Sequence, residues 1–113
     1  MVYQVAGAAG LGVLQAGNDS GRYAIGTDSD QNYLHPESTP ASAIKAVGRT
    51  CYDAIKAFQD GTIEWGVTIT GNIENGGVDI AFNDALVPAD IQEQLNAQRQ
   101  KVISGEIVVD TAL

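Results

Sequence analysis

An apolar stretch at Val2–Ala6 is followed by a small-residue turn, Gly7–Gly12. A short helical pattern then runs through Leu11, Val13, Leu14 and Ala16 before the breakers Gly17, Asn18, Asp19 and Gly21 and a second apolar stretch, Tyr23–Gly26. Strand, glycine turn, helix and strand in so short a span predict a βαβ unit, and a βαβ unit implies a parallel strand pair. The chain is therefore expected to be α/β. The second strand passes through Gly26 into Asp28, Asp30 and Tyr33. A strand ending in glycine and then acids presents polar groups at the C-terminal edge of the sheet, where ligands of open α/β sheets sit.

Downstream, Gln31–Pro40 holds two prolines and no periodicity, and is expected as loop. Ile44, Val47, Cys51, Ile55 and Phe58 recur at spacings of three and four, which predicts an amphipathic helix from Ala41 to its stop at Gly61. Trp65–Thr70 alternates as a strand does, Gly71–Gly77 is turn-rich, and Val78–Phe82 reads as a further short strand. Pro88, with Asp90 and Glu93 after it, opens a last helix lined by Ile91, Leu95 and Val102 and stopped by Gly105, with an extended tail at Glu106–Val109.

With 113 residues the chain suffices for one small domain with a modest core. Six basic against fourteen acidic residues give a net charge of −8, which argues against a nucleic-acid partner because phosphate binding draws on clustered Lys and Arg. No apolar run approaches the roughly 18 residues of a membrane span. The single cysteine, Cys51, cannot form an internal disulfide and is expected as a small core residue on the helix's apolar face. The N-terminus enters an apolar strand at once, without a signal-peptide pattern, as if the domain were cut from something longer.

The candidate chemistry is that of a binding site. Gly7–Gly12 has the order G-x-x-G-x-G rather than the dinucleotide fingerprint. It is open to two readings, a plain tight turn or a turn whose backbone approaches a ligand at a helix N-terminus. Asp28-x-Asp30-x-Asn32 imitates the start of a calcium loop but has Tyr33 and Thr39 where that loop needs Gly and Glu, so no metal is expected. The two acids suit sugar hydroxyls or an amine, or form a solvated loop. Lys45 is expected on the polar flank of the helix's first turn, either as a surface lysine or as the partner of Asp28 or of a ligand oxygen. His35 is given a loop role only. No nucleophile–base pair and no cofactor motif is present, so the chain is not expected to be an enzyme or to need a cofactor.

Three motifs together resemble the basic membrane protein family of substrate-binding lipoproteins: Tyr3-Gln4-Val5-Ala6-Gly7, Gly10-Leu11-Gly12-Val13, and Tyr23-Ala24-Ile25-Gly26-Thr27-Asp28-Ser29-Asp30-Gln31-Asn32-Tyr33-Leu34. Ser42-x-x-Lys45, Tyr52-Asp53-Ala54-Ile55, Gly76-Gly77-Val78 and Ile103-Ser104-Gly105-Glu106-Ile107 follow in the family's order. The resemblance implies a partial type I periplasmic-binding-protein-like fold equal to about the C-terminal third of a receptor. Residues 1–40 would be a second-lobe βαβ unit and loop, 41–70 a helix and strand on the first lobe, and 71–113 the crossing back with the C-terminal helix.

The same resemblance implies the solute-binding component of an ABC transporter. Such a receptor takes a purine nucleoside or similar ligand, works with a permease, and is extracytoplasmic and lipid-anchored at full length. By this resemblance Tyr3 stacks on the base, Gly7 and Ala8 bring backbone to the ribose, Asp28 accepts the ribose hydroxyls, and Lys45 completes the sugar site. The family's usual Thr-Ser-Met-Val before the lysine is Ala41-Ser42-Ala43-Ile44 here, and Arg-Val-Asp after it is Ala46-Val47-Gly48. Alone, the chain is expected to bind poorly and to self-associate. The competing expectation is a receiver-like or oligomerising α/β signalling domain. It lacks the acidic pair such a domain needs after its first strand, since Val2–Ala6 runs into Gly and Ala.

Overall fold

In the computed structural model, which describes residues 1–109, four strands form one sheet in the order β1-β2-β3-β4. Strand β1 (Val2–Tyr3) runs through a 3-10 turn (Gly7–Ala9) into helix α1 (Gly10–Asp19), and β2 (Ala24–Asp28) returns parallel to β1 with Val2 opposite Ala24. The predicted βαβ unit is present. Its helix packs on β2 through Leu14, which is fully buried, and through Gly17, where an added Cβ would lie 3.0 Å from that of Ala24.

The next element corrects the sequence reading. Ala41–Lys45 is strand β3, and helix α2 begins only at Val47 and ends at Gln59. The three- and four-residue spacing runs on through Ile44, yet Ala41–Lys45 lies between two strands that satisfy its backbone, and such tertiary pairing overrides a local helical pattern. β3 pairs in parallel with β2, Asp28 opposite Ile44, and antiparallel with β4 (Val78–Phe82), Lys45 opposite Val78. β4 spans the residues expected of it. Trp65–Thr70 forms no strand among the described residues: Trp65, Val67 and Ile69 are exposed, and alternation alone makes no ladder.

Gly61, at φ 70°, follows α2, and Gly105, at φ 77°, follows helix α3 (Ala89–Ile103), both in the left-handed region that favours glycine after a helix. Pro88 is the residue before the first turn of α3. Arg99 of α3 is 3.0 Å from Asp79 of β4 and ties that helix to the sheet edge. Glu106–Val109 belongs to no strand, and 110–113, the end of the expected C-terminal segment, lie outside the described residues.

The connection from β2 to β3 contains no helix. His35's carbonyl accepts the N–H groups of Ser38 (3.0 Å) and Thr39 (2.8 Å), so its loop role is a backbone one. Ser38, Thr39 and Pro40 are buried beneath that turn.

Candidate functional site

Parallel pairing places the ends of β2 and β3 side by side, and these ends carry Asp28 and Lys45. Antiparallel β4 begins at the same edge with Val78 and Asp79. Around this edge opens a cavity of ≈ 630 Å³ whose lining includes Tyr3, Thr27, Asp28, Lys45, Cys51 and Asp79. Asp28 and Lys45 also line an adjoining hollow with Ser29 and Asp30. The C-terminal edge of the sheet is therefore open, with Asp28 and Lys45 set among apolar residues such as Val5, Ile44 and Val47.

Lys45 owes its place to the correction above. It closes strand β3, directly before the Ala46 cap of α2, and its side chain borders the cavity. Four of the six basic residues are held by carboxylates (Arg49–Asp53, Lys56–Asp60, Arg99–Asp79 and Lys101–Glu106), whereas Lys45 makes no ion pair among the described residues. Asp28 likewise makes none. Asp79, which the sequence reading missed, lines the cavity with its charge already matched by Arg99.

Asp28 is also the one non-glycine residue at positive φ, 71°, among the described residues. Aspartate tolerates the left-handed region better than most residues, but strained backbone of this kind persists only where its surroundings over-determine it, and it clusters at ligand sites. Asp30, two residues on, accepts the N–H of Asn32 at 2.9 Å and shapes the loop.

Tyr3 lines the cavity and also a neighbouring apolar hollow with Ile25, Ala41, Ala43, Ile80, Phe82 and Leu95. It is half-exposed, as a stacking surface must be. Gly7 and Ala8 stand apart: they form the exposed 3-10 turn before α1 and are not among the residues lining the cavity. Cys51, expected in a core, is exposed and borders the cavity. The structure thus brings Tyr3, Asp28 and Lys45 together and leaves Gly7 and Ala8 outside that group.

The family model for the ABC transporter substrate-binding protein PnrA-like group (Bmp) matches residues 1–112. The chain belongs to this family. It is 29% identical to basic membrane protein A of Borreliella afzelii over 96% of the chain and 34% of that protein. It is 32% identical to the ABC transporter nucleoside-binding protein BmpA of Lactococcus lactis subsp. cremoris, over 96% of the chain and 35% of that protein. The chain therefore spans about a third of the length of these relatives.

Among solved structures, the fold is similar to a transcriptional activator of the comK gene from Bacillus halodurans (TM-score 0.85, 24% identity, 96% of this chain and 38% of that one). It is also similar to an ABC transporter solute-binding protein from Aeropyrum pernix K1 (TM-score 0.78, 22% identity, 98% of this chain and 40% of that one). The partial periplasmic-binding-like α/β fold of the Bmp family is thereby shown.

Proposed function

We propose that this Bmp-family chain carries the C-terminal part of a solute-binding receptor that captures a nucleoside-like ligand and hands it to an ABC permease. The observation that carries this reading is the convergence of Tyr3, Asp28 and Lys45 on one cavity at the sheet's C-terminal edge. Asp28 accepts two sugar hydroxyls through charge-assisted hydrogen bonds, Lys45 donates to a ligand oxygen, and Tyr3 stacks on the base. Gly7 and Ala8 bring their backbone to the sugar only once a ligand and the rest of the family fold close over the edge. The work is done by binding and closure, with no covalent step. The Lactococcus relative's name, a nucleoside-binding protein, supports the choice of ligand.

Asp28 and Lys45 are both exposed, so the described residues supply one wall of the site. In this reading Ala41–Lys45, paired with β2 and β4, stays with residues 1–40 in the second lobe, and the chain returns to that lobe from Val78. We place the crossing at Lys45–Val47 and back at Gly77–Val78, where the N–H of Ala46 reaches the carbonyl of Gly77 at 2.9 Å. The full-length receptor is extracytoplasmic and lipid-anchored in this reading.

Calorimetry of inosine and guanosine, with free amino acids as the contrast, tests the ligand class on a protein of full family length. Nucleoside binding weakened about tenfold or more by Asp28→Ala is expected, and binding of amino acids alone overturns the assignment. On the 113-residue chain the same titration is expected to give weak binding or none. Micromolar affinity there would show that one wall suffices.

A further inference from the structure

Four buried or half-buried polar residues behind the cavity form one continuous network. The side-chain carbonyl of Gln31 accepts the N–H of Thr27 at 2.9 Å and, more distantly at 3.5 Å, the amide of Gln4. The N–H of Gln31 donates to the hydroxyl of Ser42 at 3.0 Å, and that hydroxyl donates to Asn32 at 2.8 Å. The Asn32 amide donates in turn to the carbonyl of Ala81 in β4 at 3.2 Å. The Gln4 carbonyl oxygen accepts the Thr27 hydroxyl. Ser42 is fully buried, and Gln4 and Asn32 nearly so.

Two glycines are cut to fit this network. A Cβ on Gly26 would lie 2.5 Å from the Ser42 hydroxyl and 2.9 Å from the Gln31 Cβ, and one on Gly10 would lie 2.0 Å from the Gln4 side-chain oxygen. A strand that gives up a side chain at its centre loses packing and entropy unless something must come close there. Here that something is the network.

Gln31 grips the chain twice, by its side chain at Thr27 and by its backbone at Ser42. The residues between, Asp28, Ser29 and Asp30, must turn within a span closed at both ends, and Asp28 takes the left-handed conformation. We infer that Gln31, backed by Gln4, Asn32 and Ser42, is a positioning residue: its double grip holds Asp28 left-handed and so keeps the Asp28 carboxylate on the cavity. The inference rests on the reading of that cavity as a ligand site, but its test needs no ligand, so the two stand or fall separately.

The test compares Asp28→Gly with Asp28→Ala in the full chain, by urea unfolding, with Gln31 intact and with Gln31→Met. Alanine is strained at positive φ and glycine is not, so with Gln31 intact the Asp28→Gly chain is expected to exceed the Asp28→Ala chain roughly fivefold or more in folding equilibrium constant. In the Gln31→Met background that preference should vanish or reverse, because a relaxed backbone favours alanine. Gln31→Glu, which keeps the acceptor for Thr27, should restore it. Network residues that act only as glue would lower every chain alike and leave the preference unchanged, and that result overturns the proposal. Should Gln31→Met fail to fold, Gln31→Ala is measured in the same way. A strong intraresidue NOE between the amide and α protons of Asp28 marks a left-handed φ independently, and one that persists without the Gln31 acceptor also overturns the proposal.

Discussion

At the scale of single residues, the proposed ligand site rests most heavily on Asp28. A charge-assisted hydrogen bond contributes about 1.5–3 kcal/mol, so Asp28→Ala should weaken ligand affinity by at least about tenfold in a full-length protein, read by calorimetry. Lys45→Met keeps roughly the length of the side chain and removes its ammonium, and should cost less than Asp28→Ala because the proposed site gives Lys45 one ligand contact and Asp28 two. Gly26 is the stability counterpart. Its Cβ would meet Ser42 and Gln31 at 2.5 and 2.9 Å, so Gly26→Ala should lower stability by about 1–3 kcal/mol through overpacking, measured as a fall in the urea midpoint. The two acids at this edge have separate duties, Asp28 on the cavity and Asp30 on the N–H of Asn32. Nothing in the D-x-D spacing distinguishes them, because the difference lies in one backbone angle.

At the scale of elements, α2 is the odd member. None of its residues is buried, its polar side is laced by Arg49–Asp53 and Lys56–Asp60 pairs, and its apolar side shows Ile55 and Phe58 at 61% exposure each. Phe58 meets Trp65 edge to face, with ring centroids 6.1 Å apart. Substituting an exposed side chain costs little, so Ile55→Asp should change stability by no more than about 0.5 kcal/mol at concentrations where the chain is monomeric. Circular dichroism during urea unfolding checks this, and a loss of several kcal/mol would place Ile55 in a core. The start of α2 is where local pattern and fold part company. The apolar spacing from Ile44 to Phe58 crosses a strand end without a break, and only the ladders to β2 and β4 show that Ala41–Lys45 is extended. The last helix, α3, was legible because Pro88 and Gly105 punctuate it, whereas α1 runs through Gly17 and Asn18, which read as breakers, to Asp19.

At the scale of the whole molecule, the radius of gyration is 16.5 Å, against about 13 Å for a compact domain of a hundred residues. The excess is a matter of open apolar surface: among the described residues only Leu14 and Ala24 are buried hydrophobic side chains, while Val47, Ile55, Phe58, Trp65 and Ile69 face outward. We propose that the isolated chain relieves this by self-association. Light scattering at increasing concentration should show a mass above the monomer's 11.8 kDa, with Ile55→Asp or Phe58→Asp lowering it. A monomer at every concentration would remove self-association from the account.

The sequence by itself determined the α/β class, the parallel pair around α1, the position of β4, the stops of α2 and α3 before Gly61 and Gly105, and the family. Each of these is written in short-range signals: apolar runs, glycines at helix ends, a proline before α3, a motif order. Only the tertiary structure decided that Ala41–Lys45 is a strand and that Lys45 therefore stands at the sheet edge beside Asp28. It alone showed that Gln4, Gln31, Asn32 and Ser42 meet behind the cavity, and that Gly7 and Ala8 lie outside its lining. The physical reason is common to all of these. A strand exists through its neighbours' hydrogen bonds, and a buried polar network through partners far apart in the chain, so neither leaves a periodic trace in the residues that form it.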